Sequence, residues 1–222
     1  MEQILILNGS PRAPRSNSKR YGALFDRAWG GESETMDLLR ADPQAVAERL
    51  ETVSRVLLVF PLYADAIPVP VLRTFQALEE CPPRNRPTLS VLVNCGFLEP
   101  EQCDVAVDMV ALFCKRMGWP LGSVLKIGSG EAILDSPFRF LAAWKIKALA
   151  RAVAADRPRR LKAAMPISKA IFLKASTRYW LAYGARHGVT GEQMATMEIE
   201  GAPPSCKETE RLPLTERQAL CS

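Results

Sequence analysis

The residues between positions 8 and 18 combine a single glycine with hydroxyl, amide and guanidinium groups. They follow a short apolar run, residues 3–7, and precede a pattern with helical spacing. Gly9 permits a tight turn, and a helix that begins after the loop points its free N–H groups and positive dipole end into the same space. This combination is suited to hold a phosphate group, and the candidate phosphate-binding residues are Gly9, Ser10, Arg12, Ser16, Asn17 and Ser18.

This loop does not match the two most specific phosphate-binding patterns. No Gly-Lys-Ser/Thr follows it, which excludes a Walker A loop, and it has one glycine where G-x-G-x-x-G needs three. The loop alone therefore leaves a second interpretation open, a polar strand-to-helix connection in which Ser16 or Ser18 caps the helix.

Two more polar loops follow apolar runs further along the chain. Residues 61–68 read Pro-Leu-Tyr-Ala-Asp-Ala-Ile-Pro, and residues 94–97 read Asn-Cys-Gly-Phe. Tyr63 offers an aromatic face, although an aromatic residue that covers a strand end is an alternative. Asn94 is either a site residue or a turn residue, and Cys95 is either a buried thiol or a redox group.

Together these loops resemble those of a known family. Gly-Ser-Pro-Arg at 9–12 followed by Ser-Asn-Ser at 16–18 resembles the FMN-phosphate loop of the NAD(P)H-dependent FMN reductase-like branch of the flavodoxin-like superfamily. Residues 61–68 are similar to the Pro-x-Tyr-x-x-x-x-Pro segment of that branch, which lies along the flavin ring. Residues 94–97 resemble its third flavin-contacting loop. The similarity covers roughly residues 3–131.

The resemblance implies a function and a set of ring contacts. The protein is expected to be an FMN-binding oxidoreductase that takes electrons from NADH or NADPH and passes them, as hydride or electrons, to a small-molecule or flavin acceptor. The residues expected to line the flavin ring are Pro61, Leu62, Tyr63, Ala64, Asn94, Cys95 and Gly96. Residues 128–131, Gly-Ser-Gly-Glu, are expected to close the site. No catalytic side chain is assigned, because the flavin itself performs hydride transfer.

The elements that position these loops alternate between strand and helix. Apolar runs predict strands at 3–7, 34–39, 55–60, 88–93 and 123–127, and helical spacing predicts a helix between each pair. This order predicts a flavodoxin-like α/β fold, a doubly wound five-stranded parallel sheet of order 2-1-3-4-5 with a C-terminal helical extension. Ligands of such sheets bind beyond the carboxyl ends of the strands, where the three loops lie.

Composition excludes several other classes. The chain has 222 residues, 48% hydrophobic and 24% charged, which is typical of a globular protein and not of a disordered one. The six cysteines include no C-x-x-C pair, and no cluster of them fits an iron–sulfur branch of the family. With no signal-peptide pattern at the N-terminus, the expected location is the cytoplasm. A single histidine, His187, gives little support to a catalytic triad or a histidine-rich metal site.

The net charge of +5 is unevenly distributed. Residues 1–136 carry 14 basic and 17 acidic side chains, whereas residues 137–187 carry 12 basic side chains and one acidic one. Residues 1–136 are only mildly acidic, which favours a reductase, because small electron-carrier flavodoxins are strongly acidic. The expected domains are a flavodoxin-like domain at 1–135, a basic helical extension at 136–190 and a tail at 191–222.

The basic extension has several possible roles. One is a solvated face of a packed helix, and another is a homodimer contact or substrate lid. A third is binding to an anionic membrane surface, an acidic partner or nucleic acid, in which case the protein is a non-catalytic binding or scaffold protein. Arg157, Arg159 and Arg160 are also candidates to attract the phosphates of a nicotinamide cofactor.

Overall fold

The structure, a computed structural model, describes residues 3–12 and 16–196 of the chain. Its strands and helices follow one another as β1 (Ile4–Asn8), α1 (Asn17–Trp29), β2 (Ser33–Asp37), α2 (Pro43–Leu50), β3 (Arg55–Pro61), α3 (Val69–Glu80), β4 (Thr88–Asn94), α4 (Asp104–Met117), β5 (Leu121–Ile127), α5 (Arg139–Ala154), β6 (Arg160–Ala163), α6 (Lys169–Arg186) and α7 (Gly191–Thr196). All six strands are parallel and pair in the order β2-β1-β3-β4-β5-β6. The predicted doubly wound order 2-1-3-4-5 is therefore confirmed.

The prediction of five strands missed the short strand β6. It pairs with β5 from Val124 opposite Arg160 to Ile127 opposite Ala163, at the edge of the sheet. The side chains of β6 alternate, so that Arg160 and Lys162 are exposed whereas Leu161 and Ala163 pack against the core. Because an edge strand tolerates charged side chains, its sequence is hard to distinguish from that of a basic loop.

Apolar side chains cover both faces of the sheet. One face packs against α2, α3 and α4, with Phe75 stacked on Phe113 at a ring-centroid distance of 3.7 Å. The other packs against α1 and α5, where Tyr21, Phe25 and Ile146 are fully buried. Four of the strands, β1, β3, β4 and β5, are consequently buried along almost their whole length.

Capping residues and glycines set the helix ends. The Ser16 hydroxyl accepts a hydrogen bond from Lys19 N at 3.1 Å and caps α1, and Asp42 caps α2 with Pro43 at its first position. Gly30 and Gly118 end α1 and α4 in the left-handed region, at φ 68° and 66°.

The described residues form two compact units, one ending at Ile167 and one beginning at Ser168. The first unit extends past the boundary at residue 135 suggested by the sequence, because α5 and β6 pack on the sheet. In the second unit Ser168 caps α6, and Gly184 lies close to Met194. Helix α7 falls within the segment expected to be a tail, and residues 197–222 lie outside the described residues.

None of the helices in the described ranges combines the length and apolar character needed to cross a membrane.

The packing of α5 on the sheet is testable by substitution. Ile146→Ala is expected to lower the free energy of unfolding by about 2–5 kcal/mol, because it removes buried methyl groups from the core. Trp144→Ala on the exposed face of the same helix is the matched control, with an expected change within about 0.5 kcal/mol. Urea unfolding followed by circular dichroism gives both values, and equal losses would contradict the assignment of α5 to the core.

Candidate functional site

A cavity of about 590 Å³ lies at the carboxyl edge of the sheet, where β1, β3 and β4 end. Its volume is within the range of small-molecule and cofactor sites. The residues that line it are Ser10, Arg12, Ser16, Asn17, Ser18, Lys19, Arg20, Ala23, Pro61, Tyr63, Asn94 and Glu131.

The cavity joins all three loops singled out in the sequence. Eight of the thirteen candidate residues line it, and Glu131 from the predicted closing segment lines it too. Gly9, Leu62, Ala64, Cys95 and Gly96 do not line it. Of these, Gly9 and Cys95 are buried behind the cavity wall, and Ala64 and Gly96 are exposed beside it.

The first loop and the start of α1 bring hydrogen-bonding groups to the cavity. The N–H groups of Asn17 and Ser18, at the start of α1, have no intrahelical acceptor. Ser10 N donates to Asn8 Oδ1 at 3.3 Å, and Arg12 N donates to Ser10 Oγ at 3.3 Å, which stabilises the turn after β1. Ser16 caps the helix and also lines the cavity, so the capping interpretation is confirmed and Ser16 stays among the candidate site residues.

The glycine of this loop is required by packing. A Cβ at Gly9 would collide with Val71 Cγ2 and lie 3.2 Å from the Cβ of Phe60. Gly9 N also donates to Val59 O at 2.8 Å, which holds the loop against β3. The role of Gly9 is thus to let β1, β3 and α3 approach each other beneath the cavity.

The second loop makes a tight turn next to Tyr63. Tyr63 and Ala66 exchange two backbone hydrogen bonds, at 3.3 and 3.0 Å, across a two-residue turn. Ala64 and Asp65 occupy this turn at φ 46° and 58°, a conformation that non-glycine residues adopt only at a cost. Such strain is often found at functional loops. The turn places Tyr63, 38% exposed, on the cavity wall.

Asn94 connects the third loop to the other two. Its side-chain amide donates to Ser18 Oγ at 3.0 Å and to Phe60 O at 3.1 Å. Its backbone carbonyl accepts from Leu62 N at 2.8 Å. Asn94 is the last residue of β4 and is almost fully buried. It therefore ties α1 and β3 to β4 and is not simply a turn residue.

Two side chains at the rim of the cavity, Lys19 and Arg20 on α1, were not among the residues predicted from the sequence. Arg20 forms a two-point ion pair with Asp135, at 2.6 and 2.8 Å, and also donates to Asn17 Oδ1 at 3.0 Å. The hydrogen bonds from Arg20 lower the pKa of the Asp135 carboxyl. The contact between Arg20 and Asn17 could have been predicted from the sequence, because residues three positions apart lie on the same side of a helix.

Tyr21 is a buried residue of α1 that supports the site. Its hydroxyl donates to the carbonyl oxygen of Gly130 at 2.8 Å, which joins α1 to the loop after β5. Burial raises the pKa of this phenol, so that it stays protonated and continues to donate. The segment at 128–131 is thereby held against the cavity, where Glu131 lies beside Gly96.

Cys95 belongs to the core beneath the third loop. It is 2% exposed, and its thiol donates to the carbonyl oxygens of Phe97 and Glu99, both at 3.8 Å. Interaction with the buried Cys103 thiol lowers the pKa of Cys95 and, together with burial, raises the pKa of Cys103. In the described part of the chain, no group of three or more histidine, cysteine or acidic side chains could hold a metal ion.

The arginines between α5 and β6 lie away from this cavity. Arg160 begins β6 and donates to Gly122 O at 2.7 Å, near the amino end of β5. Arg157 lines a different cavity, at the same end of the sheet. Since the strands are parallel, this is the edge opposite the candidate site, and these arginines do not contribute to it.

Solved structures share this fold. A flavodoxin from Streptococcus pneumoniae TIGR4 is 14% identical with a TM-score of 0.53, covering 69% of this chain and 98% of its own. An FMN-dependent NADH-azoreductase from Bacillus anthracis is 15% identical with a TM-score of 0.53, covering 68% and 98%. An NAD(P)H:quinone oxidoreductase from Methanothermobacter marburgensis is 14% identical with a TM-score of 0.52, covering 70% and 94%.

These similarities establish that the chain has the flavodoxin-like fold, as the loop motifs implied. No protein-family model matches the sequence, and no curated protein does either.

The role of Asn94 in joining the three loops is testable. Asn94→Ala is expected to lower the free energy of unfolding by about 1–3 kcal/mol, since the buried carbonyl of Phe60 and hydroxyl of Ser18 lose their donor. Urea unfolding without added flavin measures this cost. Asn17→Ala, at an exposed amide of the same cavity, serves as control and is expected to change stability by less than about 0.5 kcal/mol. A similar change in both variants would contradict the connecting role.

Proposed function

We propose that the cavity at the carboxyl edge binds FMN and that the protein is an NAD(P)H-dependent oxidoreductase. It passes hydride or electrons from NADH or NADPH, through the flavin, to a small-molecule or flavin acceptor. The observation that carries the proposal is the meeting of a donor-rich helix start and an aromatic wall in one cavity. Two of the solved structures with the same fold agree with the proposal by name, since one is an FMN-dependent NADH-azoreductase and the other an NAD(P)H:quinone oxidoreductase.

The loop from Ser10 to Ser18 is proposed to hold the FMN phosphate. It offers the N–H groups at the start of α1, the hydroxyls of Ser10 and Ser16, and the guanidinium of Arg12. A phosphate carries negative charge, and both the helix dipole and the arginine favour it there. The donor chemistry of these residues suits a phosphate group.

The loops after β3 and β4 are proposed to hold the isoalloxazine ring. Tyr63 presents an aromatic face on the cavity wall, and Pro61 and Asn94 line the cavity beside it. The backbone N–H groups of Ala64 and Gly96 are proposed donors to the ring carbonyls. FMN supplies the hydride and electron chemistry when bound, and these residues bind and orient it.

The phosphate assignment is tested by removing three polar side chains that line the cavity. The triple variant Ser10→Ala/Arg12→Ala/Asn17→Ala spares Ser18, whose hydroxyl holds Asn94. FMN affinity is expected to fall about a hundredfold or more, since hydrogen bonds to a charged group are lost. The measurement is the flavin absorption retained after reconstitution with FMN and desalting, together with a titration of FMN fluorescence.

The matched control is Ser176→Ala/Thr177→Ala/Arg178→Ala on α6, which removes two hydroxyls and one guanidinium in the second unit. It is expected to keep wild-type FMN affinity. Wild-type affinity in the cavity variant would overturn the phosphate assignment. If the wild-type protein retained no flavin after reconstitution, the proposed cofactor itself would be wrong.

The exposed surface of α6 favours a second candidate function, peripheral contact with an anionic membrane. Tyr179, Trp180 and Tyr183 are 42–55% exposed, and their rings contact one another. Arg186 lies over the ring of Tyr183, and α6 contains no acidic residue. Tyrosine and tryptophan prefer the membrane interface, and basic side chains prefer anionic headgroups.

Vesicle sedimentation distinguishes this candidate. If α6 contacts membranes, wild-type protein sediments with vesicles of phosphatidylcholine and phosphatidylserine, and added salt weakens the binding. Tyr179→Ala/Trp180→Ala/Tyr183→Ala is then expected to lose at least tenfold in binding. The control is Val105→Ala/Leu112→Ala, at exposed apolar residues of α4, and it is expected to bind vesicles as the wild type does. No binding by the wild-type protein would exclude this candidate, and release of a dimer into monomers by the α6 variant would favour self-association.

A further inference from the structure

A groove of about 470 Å³ runs between α1 and α5, beside the candidate site. It shares Arg20 and Ala23 with the site cavity, so the two spaces adjoin along the surface of α1. We refer to it as the α1–α5 groove. Its lining residues are Arg20, Ala23, Leu24, Arg27, Leu134, Arg139, Phe140 and Ala143.

The α1–α5 groove carries uncompensated positive charge. Of its three arginines, Arg20 is paired with Asp135. Arg27 on α1 and Arg139 on α5 have no ion-pair partner within residues 3–12 and 16–196. None of the described residues that line the groove is acidic. Two guanidinium groups facing one groove are suited to bind a phosphate, to which each can donate more than one hydrogen bond.

The remaining walls of the groove are apolar. Leu24 and Leu134 are partly buried against the core, and Phe140 is 61% exposed. An exposed aromatic ring beside two arginines offers a stacking surface for a nucleobase next to a phosphate site. The combination is typical of a site for a nucleoside phosphate rather than for an inorganic anion alone.

The length of the groove indicates an elongated ligand. Arg27 lies seven positions after Arg20, the residue at the junction with the site cavity, which corresponds to about 10 Å along the helix. A ligand that contacts both Arg27 and the candidate flavin site must span this distance. A dinucleotide is long enough to do so, with one nucleotide in each space.

We propose that the α1–α5 groove binds the 2′-phosphorylated adenosine end of NADPH, and that Arg27 and Arg139 thereby select NADPH over NADH. The proposal rests on the proposed function, since it places the nicotinamide end in the cavity assigned to FMN. NADH carries a neutral hydroxyl where NADPH carries the 2′-phosphate. The two arginines therefore discriminate between the two donors by charge.

The test compares 2′,5′-ADP, which carries the 2′-phosphate, with 5′-ADP, which lacks the 2′-phosphate. Neither contains nicotinamide. Calorimetric titration of the wild-type protein is expected to show at least tenfold tighter binding of 2′,5′-ADP. Arg27→Gln/Arg139→Gln is expected to lower the affinity for 2′,5′-ADP by about tenfold or more and to leave that for 5′-ADP unchanged. Phe140→Ala is expected to weaken the binding of both nucleotides.

The matched control, Arg73→Gln/Arg84→Gln, removes two positive charges from α3 and the turn that follows it. It is expected to bind 2′,5′-ADP as the wild type does, which separates the groove from the effect of net charge. Equal affinity of the wild type for the two nucleotides would overturn the proposal, as would undiminished 2′,5′-ADP binding by the groove variant. Unchanged flavin retention in the groove variant shows that its fold is preserved.

A kinetic measurement distinguishes this proposal from the proposed function. With FMN bound, the groove variant is expected to show a raised KM for NADPH at an unchanged KM for NADH. Preference of the wild type for NADH would reject the groove and leave the flavin function intact. Selective binding of 2′,5′-ADP by a protein that retains no flavin would support the groove and reject the flavin function.

Discussion

The burial of the parallel sheet on both faces is the constraint on which the rest of this structure depends. Parallel strands need a crossover between each pair, and the crossovers here are helices that must cover both faces. Helices α1 and α5 cover one face, and α2, α3 and α4 cover the other. With the faces occupied, the loops at the carboxyl ends of the strands are left to form a cavity, and the candidate site lies there.

Three hydrogen-bonded connections convert this general edge into a defined site. Asn94 joins α1 to β3 and β4, and Tyr21 joins α1 to the loop after β5. The turn at Ala64 and Asp65 then projects Tyr63 at the cavity wall. Asn94 and Tyr21 are buried and hydrogen-bonded, and they hold the elements that carry the exposed groups of the cavity.

The basic segment of the sequence is not one functional unit in the structure. Its charges are divided among α5, β6 and α6, and the three environments differ. Arg160 lies at the edge of the sheet opposite the site, Arg139 lines the α1–α5 groove, and Arg178 is exposed in the second unit. Net charge by segment therefore says little about the partner of any one of these residues.

Five of the six strands, their order and the three loops of the site could be predicted from the sequence. Continuous apolar runs such as residues 55–60 have no exposed face, and the polar residues that end them must lie at one edge of a parallel sheet. Eight of the cavity residues followed from that argument and from the resemblance of the loop motifs, among them Ser10, Asn17 and Tyr63.

Which side chains support the site and which lie elsewhere follows from contacts in the folded protein and not from any short sequence pattern. The bond from Asn94 to Ser18 joins residues 76 positions apart, and that from Arg20 to Asp135 spans 115 positions. The tertiary structure also decided that Gly9 serves close packing, that β6 extends the sheet, and that Arg139 rather than Arg160 lies near the cavity. The reason is that local patterns encode burial and turns, whereas contacts between distant residues depend on register and packing, which no short segment specifies.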